Sequence, residues 1–427
     1  MGRVARRAVV ALAAFAVLVW TSPGRAESLS RKIETIFGEN GITTVTPSHT
    51  AHFGEESFAL FALLVQNLSG QASDFPATAV APGLSFRYND KLEIYEPTEE
   101  NFSDPFVPDP RTQGKGRFEF GFSYLYLNFD TLNGNDLDHL QFRGLKHNDC
   151  CGNPPGGSPG SPAFENDTAD VFYEQFTLQS QVFAFSFSYG VLDNWDVNIF
   201  LPVVYTYLDL VAQAQLHNTT NQVTHEFDPF GATRKRSFAN GSNLGVGDLQ
   251  LRTQYRFLES GSTRLAGILT LVVPTGSVDN FQGSGDTKIS PVIAASQNFG
   301  KLDFHVASGF LVDADNTDRT RIRYGGGFTY QHLKQVAFFL DVIGSSNLEQ
   351  YEVTATVPDF ENIGGVETQV GTQTVSVKTR TDIVDLAPGI KIQLMPSAVA
   401  FFQAFIPMNS DGLRTSFTPA GGIEVSF

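Results

Sequence analysis

The sequence predicts an all-β protein: a transmembrane antiparallel up-and-down β-barrel of about 12 strands with a mostly irregular N-terminal extension. Three observations lead to this prediction. Charged residues make up 17% of the 427 positions, below the roughly 25% of a soluble globular protein. Mean hydropathy is −0.10, and no run of about 18 apolar residues follows the first 26, so membrane-spanning helices are not expected. Finally, segments of alternating apolar and polar residues recur along the chain, and short and long connections alternate between them.

Residues 1–26 predict a secretory signal peptide. Arg3, Arg6 and Arg7 supply its positive end, and residues 8–20 form an apolar run that is short for a membrane span. Small residues at Gly24 and Ala26 flank Arg25 before the expected cleavage point. An exported membrane protein without apolar helices must close its sheet, so we expect a barrel in the cell outer membrane, in contact with its lipid.

Residues 27–114 predict an N-terminal extension, either periplasmic or inserted as a plug in the barrel lumen. Residues 28–37 fit a short amphipathic helix, residues 58–65 form an apolar patch suited to packing, and residues 83–89 fit a short strand. A poorly ordered leader is the alternative interpretation of this region.

Residues 115–427 predict the barrel itself. In its first strand Phe118, Phe120, Phe122, Tyr124 and Tyr126 alternate with Glu119, Gly121, Ser123 and Leu125. The expected strands cover residues 118–126, 172–189, 195–207, 249–257, 263–274, 286–299, 301–312, 321–332, 335–343, 379–394, 397–408 and 415–427. Long loops are expected at about 131–170, 209–244 and 344–378, on the outer side of the membrane.

Two strands carry further signals. In the second strand the apolar residues change register near Ser180, which favours a β-bulge there. In the last strand Phe417, Ile423 and Phe427 share one apolar face, and the sequence ends on Phe427. This end resembles the closing strand of bacterial outer-membrane barrels, which implies recognition by the barrel-assembly machinery.

Polar side chains on the other face of several strands are the candidate site residues. An Arg or Lys on the lipid face costs about 2–4 kcal/mol at the bilayer midplane, so these residues are expected to face the lumen. There they either line a wet path or pair with one another and fill the interior. The lumen-lining candidates are Glu119, Asp248, Gln250, Arg252, Gln254, Arg256, Arg321, Arg323, Asp385, Lys391 and Gln393.

Other kinds of chemistry find little support. The formal net charge of −16 argues against a nucleic-acid partner. Cys150 and Cys151 are adjacent and fit a vicinal disulfide rather than a metal site. Residues 313–318 faintly resemble a calcium loop but lack its turn glycine and closing Glu, so we predict no metal and no cofactor. Without a nucleophile elbow, zinc helix or phosphate loop, no catalytic residue is predicted.

Four motifs resemble a family of Gram-negative outer-membrane proteins assigned to the meta-pathway of phenol degradation. They are Gln113-Gly-Lys-Gly-Arg-Phe118 with Phe129-Asp-Thr-Leu-Asn-Gly134, Leu192-Asp-Asn-Trp-Asp-Val-Asn-Ile-Phe-Leu-Pro202, Gly245-Val-Gly-Asp-Leu-Gln-Leu-Arg252 with Tyr255-Arg-Phe257, and Val273-Pro-Thr-Gly276 with Gly283-Ser-Gly-Asp286. The resemblance covers about residues 80–427. It implies a transporter-like barrel that passes small hydrophobic or aromatic solutes.

Two functions therefore compete. The first is an outer-membrane channel for passive uptake of small, hydrophobic or aromatic solutes. The second is a structural or surface-binding barrel with a closed lumen and no transport. An open lumen would favour the first, and a lumen filled by paired charges would favour the second.

Overall fold

The computed structural model describes residues 27–45, 53–72, 86–89, 94–97, 107–146, 167–218, 225–333, 335–363, 366–395 and 397–427. Residues 1–26, with the predicted signal peptide, and Cys150 and Cys151, with the predicted disulfide, lie outside the described residues. The helices are α1 (Leu29–Glu34) and α2 (Gly54–Ala72). Three short 3₁₀ helices cover Leu137–His139, Val278–Asn280 and Thr317–Arg319. Neither α1 nor α2 is long and apolar enough to cross a membrane.

The strands follow in chain order. They are β1 (Phe86–Asn89), β2 (Ile94–Pro97), β3 (Phe118–Leu132), β4 (Asn135–Asp136), β5 (Gln141–Lys146), β6 (Thr168–Leu192), β7 (Trp195–His217), β8 (Arg234–Val246), β9 (Leu249–Ser260), β10 (Thr263–Val273), β11 (Lys288–Phe299), β12 (Leu302–Asp313), β13 (Arg321–Leu333), β14 (Val336–Asn347), β15 (Tyr351–Ile363), β16 (Val366–Thr379), β17 (Asp382–Met395), β18 (Ala398–Pro407), β19 (Leu413–Thr415) and β20 (Thr418–Ser426).

Twelve antiparallel strands close into a barrel, which confirms the predicted fold. Their order around the wall is β3, β6, β7, β9, β10, β11, β12, β13, β14, β17, β18 and β20. Strand β3 pairs with both β6 and β20, so the ladder returns to its start and leaves no open edge. Closure is what a sheet needs in lipid, where water cannot satisfy an edge. The twelve strands are those expected from the alternation.

Short and long connections lie at opposite ends of the barrel. Five pairs of barrel strands are separated by two residues each, at 193–194, 261–262, 300–301, 334–335 and 396–397. The barrel termini meet at the same end, where Phe118 and Phe427 exchange backbone hydrogen bonds. Short turns are periplasmic in outer-membrane barrels. We therefore call this the periplasmic end and the opposite one the outer end.

The outward face of the barrel is apolar around its circumference. Alternation along each strand puts aromatic and branched side chains outside, and many of them are more than a third exposed. Such a belt would be an aggregation surface in water and is the natural contact for lipid. Its members include Phe120, Phe187, Ile199, Leu251, Leu269, Ile293, Val306, Phe310, Phe328, Phe338, Phe402 and Ile423.

The predicted bulge near Ser180 is wrong. Strand β6 keeps one alternation of buried and more exposed residues from Phe176 to Gly190, and its bulge lies between Tyr173 and Gln175. The apolar residues change face because the surroundings change along the strand. Toward the periplasm Phe183 and its neighbours face lipid, whereas farther out the strand leaves the lipid belt and turns its apolar residues inward.

The expected long loops contain strands that the alternation did not reveal. The 131–170 region carries β4 and β5, and β5 pairs with β6. The 209–244 region extends β7 to His217 and adds β8, which pairs with β7. The 344–378 region forms the separate hairpin β15–β16. These strands lie beyond the lipid, where outward residues need not be apolar.

The N-terminal helices pack at the outer end of the barrel. Helix α1 begins where the Ser28 hydroxyl accepts a hydrogen bond from the Arg31 amide at 3.4 Å. Helix α2 carries apolar residues that join one buried cluster with residues of β3, β6 and β7. The outer connections hold α1 and the residues that follow it. Leu29 donates its amide to Asn280 at 3.2 Å, and the Lys235 ammonium donates to the Phe37 carbonyl at 3.2 Å.

Candidate functional site

The lumen divides into two parts of different chemistry. The part toward the outer end along β3, β6 and β7, which we call the apolar half, is lined by Leu125, Val182 and Leu208 and by similar residues of these three strands. The part toward the periplasm, which we call the polar half, is lined by charged and amide side chains that are almost fully buried. The apolar half differs in this respect from the lumen of a water-filled porin, which has a polar lining.

The N-terminal helices pack over the outer end of the apolar half. Ile33 of α1 and Phe61, Leu64 and Leu68 of α2 are buried in the same cluster as the lumen-facing strand residues. Burying a side chain of this size contributes about 1.5–3 kcal/mol. Burial also raises the pKa of Glu34 above its usual 4.5, and the Arg31 guanidinium opposes this rise.

Residues 107–117, which we call the lumen segment, run through the polar half. Asp109 accepts from Arg111 Nε at 2.9 Å and Nη2 at 2.7 Å, a two-point contact between buried groups. The barrel wall grips the segment from Gln254, whose Nε2 donates to the carbonyls of Asp109 and Arg111 at 2.8 and 2.6 Å. Nearer the periplasm, Gln113 donates its side-chain amide to Glu119 at 3.1 Å.

Two contacts between buried ionisable side chains cross the polar half. Lys391 Nζ lies 3.1 Å from Glu424 Oε2, and both side chains are at most 4% exposed. His305 Nε2 lies 2.8 Å from Asp341 Oδ1, also in full burial. A charge left alone here would carry a desolvation cost of several kcal/mol. Within the described residues, the lumen segment and these paired side chains lie inside this part of the lumen.

The other predicted lumen residues lie in several places. Arg252 is half-buried and donates to Gln254, while Arg256 contacts Glu259 and the Asp193 carbonyl at the periplasmic turn. Asp385 pairs with Arg414. Four more are half-buried on the strands, of which Arg321 lines a small cavity at the outer rim: Gln250, Arg321, Arg323 and Gln393.

Asp248 has a structural role at the outer end of β9. Its carboxylate accepts the Gly276 amide at 3.0 Å and the Ser284 amide at 2.8 Å, so it holds the connection from β10 to β11. Glycine is required where the backbones meet, since a Cβ on Gly276 would lie 2.6 Å from the Gly283 Cα. Three family-like motifs meet at this point, because the Gly247 amide also donates to the Pro202 carbonyl at 2.8 Å. Their glycines thus serve packing.

The lipid-facing surface of the barrel is concave over β10 to β12. An apolar concavity of about 600 Å³ opens on the lipid face, where the lining includes Gly267 and Gly309. The ladder between β11 and β12 is interrupted at Ser290 and Pro291. On the lumen side Val107 packs against Ile268, Ala294 and Ala307. Val107 of the lumen segment and the lipid-facing concavity therefore lie on opposite sides of the same stretch of wall.

Sequence reasoning missed most of the partners in the polar half. Asp109 and Arg111 lie in a Pro-rich stretch without alternation, so nothing marked them as lumen residues. Glu424 and Asp303 do alternate with apolar neighbours, and that signal could have placed them inward. Which charge meets which depends on strand register across the barrel, and one sequence does not reveal it.

These features define a transmembrane β-barrel of the outer-membrane type with residues 107–117 inside its lumen. The model of the family described as "Putative MetA-pathway of phenol degradation" matches residues 160–342. This match confirms the resemblance, and it includes all the motifs from Leu192 to Asp286.

Solved structures similar to this chain are also outer-membrane barrels. The COG4313 outer membrane channel from Pseudomonas putida F1 shares 12% identity over 76% of this chain and 100% of its own, with a TM-score of 0.45. The CymD monoaromatic hydrocarbon channel shares 11% over 74% and 89%, with a TM-score of 0.35. A Pseudomonas aeruginosa FadL homologue shares 10% over 73% and 89%, with a TM-score of 0.31. Among curated proteins, a search finds no match.

Proposed function

We propose that this protein is an outer-membrane channel for passive uptake of small hydrophobic or aromatic solutes. The observation that carries the proposal is the apolar half of the lumen. Leu125, Val182 and Leu208 present an apolar surface inside the barrel, and only non-covalent contacts hold α1 and α2 against it. The family description, with its link to phenol degradation, names a compatible class of solute.

An apolar solute fits this lining for an elementary reason. Moving apolar surface from water onto apolar side chains gains roughly 25 cal/mol per Å². A polar solute gains nothing there and loses hydration. Selection for apolar molecules therefore follows from the lining and needs no specific hydrogen bond.

A solute that leaves the apolar half toward the periplasm meets the polar half, where the lumen segment and paired charged side chains lie. Two routes remain. In the first, the lumen segment is displaced toward the periplasm. In the second, the solute passes through the barrel wall beside Val107 into the lipid. The concavity over β10 to β12 supports the second route, since its lining is apolar.

The closed-lumen barrel remains the alternative, and a specific observation favours it. Lys391 with Glu424 and Arg111 with Asp109 are ion pairs that fill the interior. A purely structural barrel would use such pairs without ever opening.

Uptake in intact cells separates the two functions. Cells that express the full chain are compared with cells carrying an empty vector for accumulation of radiolabelled toluene and of benzoate. The lipopolysaccharide leaflet is needed because phospholipid alone passes toluene freely. We expect faster uptake of toluene with little change for benzoate. Equal uptake of toluene with and without the protein would support the closed barrel.

Three assignments complete the proposal. Residues 1–26 are removed on export, residues 27–114 act as a plug rather than a free periplasmic extension, and Phe427 is read by the assembly machinery. The packing of α1 and α2 on the barrel supports the second assignment. No catalytic step forms part of the proposal. Deleting Phe427 should lower the amount of folded, heat-modifiable barrel in the outer membrane, measured by gel electrophoresis with and without boiling.

A further inference from the structure

Three carboxylates from two neighbouring connections meet at the outer rim of the barrel. Asp286 precedes β11, Asp313 ends β12, and Asp315 follows two residues later. One oxygen from each of the three lies within 4.8 Å of the others. Lys288 and Asp313 face each other at the end of the β11–β12 ladder, which fixes the two connections side by side.

One oxygen of this cluster is buried beside another carboxyl group. Asp313 is 2% exposed, and its Oδ1 accepts the amides of Asp315 and Asn316 at 3.0 Å each. Its Oδ2 is buried beside the Asp286 carboxyl and, among the residues that the structure describes, accepts no hydrogen bond from an N–H or a hydroxyl group. An unsatisfied carboxylate oxygen in the interior is costly, so a positively charged ligand is the expected complement.

There is also room for a ligand. Asp286 and Asp313, though not Asp315, line a partly enclosed cavity of about 60 Å³. A single water needs roughly 10–15 Å³ by the same measure, so an ion with several waters fits. The opposite wall of the cavity is α2, through Asn67 and Gly70. The cluster therefore lies between the barrel rim and the N-terminal helices.

Basic residues nearby limit the strength of the site without filling it. Arg319 donates to Asp286 Oδ2 at 2.8 Å, and Lys288 and Arg321 line the same cavity. The local charge is thus close to neutral before an ion binds. An affinity in the range of extracellular calcium modules, about 10⁻⁴–10⁻³ M, is the reasonable expectation.

We propose that Asp286, Asp313 and Asp315 bind a calcium ion that ties the β10–β11 connection to the β12–β13 connection. Oxygen ligands alone select a hard cation. Calcium accepts irregular geometry and 6–8 ligands, which suits three carboxylates from two loops plus water. Magnesium demands near-ideal octahedral geometry and gives up its waters reluctantly. The bound ion stabilises the rim on which α2 rests.

Calcium titration of the full chain tests the proposal. The protein is refolded from inclusion bodies into detergent free of lipopolysaccharide, stripped with a chelator and titrated calorimetrically with calcium chloride. We expect one calcium per chain and at least tenfold weaker binding in Asp315→Asn and in Asp286→Asn. Calcium should also raise the midpoint of thermal unfolding of the unaltered protein and leave that of Asp315→Asn unchanged.

Asp318→Asn is the matched control, because Asp318 is an exposed acid in the same connection and lies outside the cluster. It should bind calcium as the unaltered protein does. The proposal is overturned by absence of binding up to about 10 mM, by equal loss in Asp318→Asn, or by magnesium binding as tightly as calcium. Asp313→Asn is the less informative variant, since its buried carboxylate also caps the turn and the change can prevent folding.

Discussion

Gln254 holds the lumen segment, and replacing it with leucine should release that segment. The Gln254 amide donates two hydrogen bonds to backbone carbonyls of the segment, at 2.8 and 2.6 Å. Each such bond contributes a net 0.5–1.5 kcal/mol, so their loss weakens docking of the segment by about 1–3 kcal/mol. Since about 1.4 kcal/mol is a factor of ten, the displaced population should rise roughly 5- to 140-fold.

Single-channel recording measures this directly. The full chain is refolded, inserted in planar bilayers and recorded at fixed voltage. If the segment closes the polar half, Gln254→Leu should raise the fraction of time spent conducting by that factor. The current amplitude should change little, because one neutral lumen side chain replaces another of similar length.

Gln250→Leu is the matched control. Gln250 lies on the same face of β9, and in the described part of the chain it donates no hydrogen bond to the segment. Its open fraction should equal that of the unaltered protein. The reasoning is refuted if Gln254→Leu leaves the open fraction unchanged, or if Gln250→Leu raises it equally.

Three further variants test the packing. Lys391→Met removes one partner of a buried ion pair and should lower the free energy of unfolding in urea by about 3–5 kcal/mol. Adding Glu424→Leu to this variant should restore most of the loss. Equal destabilisation of the single and the double variant would contradict this. Glu34→Gln should tighten docking of α1 at neutral pH. Burial raises the pKa of Glu34, so ionisation weakens the folded state, and the benefit should vanish as pH falls toward 4.5 in hydrogen exchange of α1; a benefit constant with pH would be the contrary result. Asp248→Ala removes the acceptor of two backbone amides and should speed proteolysis in the β10–β11 connection, with unchanged cleavage arguing against its proposed role.

The barrel strands could be predicted because each signal is local. Alternation with period two is imposed by lipid on one face, and it can be recognised within ten residues. Where β6 and β7 leave the membrane this constraint ends, and so the apparent register change near Ser180 was misread as a bulge. Strand β8 was missed for the same reason: its outward residues include Arg234, Arg236 and Asn240.

The site could be predicted only as a set of inward-facing residues. Glu119, Gln254 and Lys391 are buried side chains of barrel strands. Their partners are set by tertiary structure: Lys391 meets a residue 33 positions away, and Gln254 meets a carbonyl 145 positions away. No local pattern encodes such a separation. The Asp313 cluster shows the same limit, because its third carboxylate, Asp286, comes from another connection.

The main barrier to transport lies in the polar half of the lumen. Apolar helices and an apolar solute make similar contacts with the outer half, so exchanging one for the other there costs little beyond loosening α1 and α2. In the polar half an apolar solute would have to replace hydrogen bonds such as those from Gln254 without forming any. Passage through the polar half should therefore depend on moving the lumen segment as a unit. Exit through the wall beside Val107 would avoid the loss of these hydrogen bonds. Gln254→Leu distinguishes these two routes. It should raise the open fraction in bilayer recordings in either case, but it should accelerate toluene uptake only if the solute follows the path of the lumen segment.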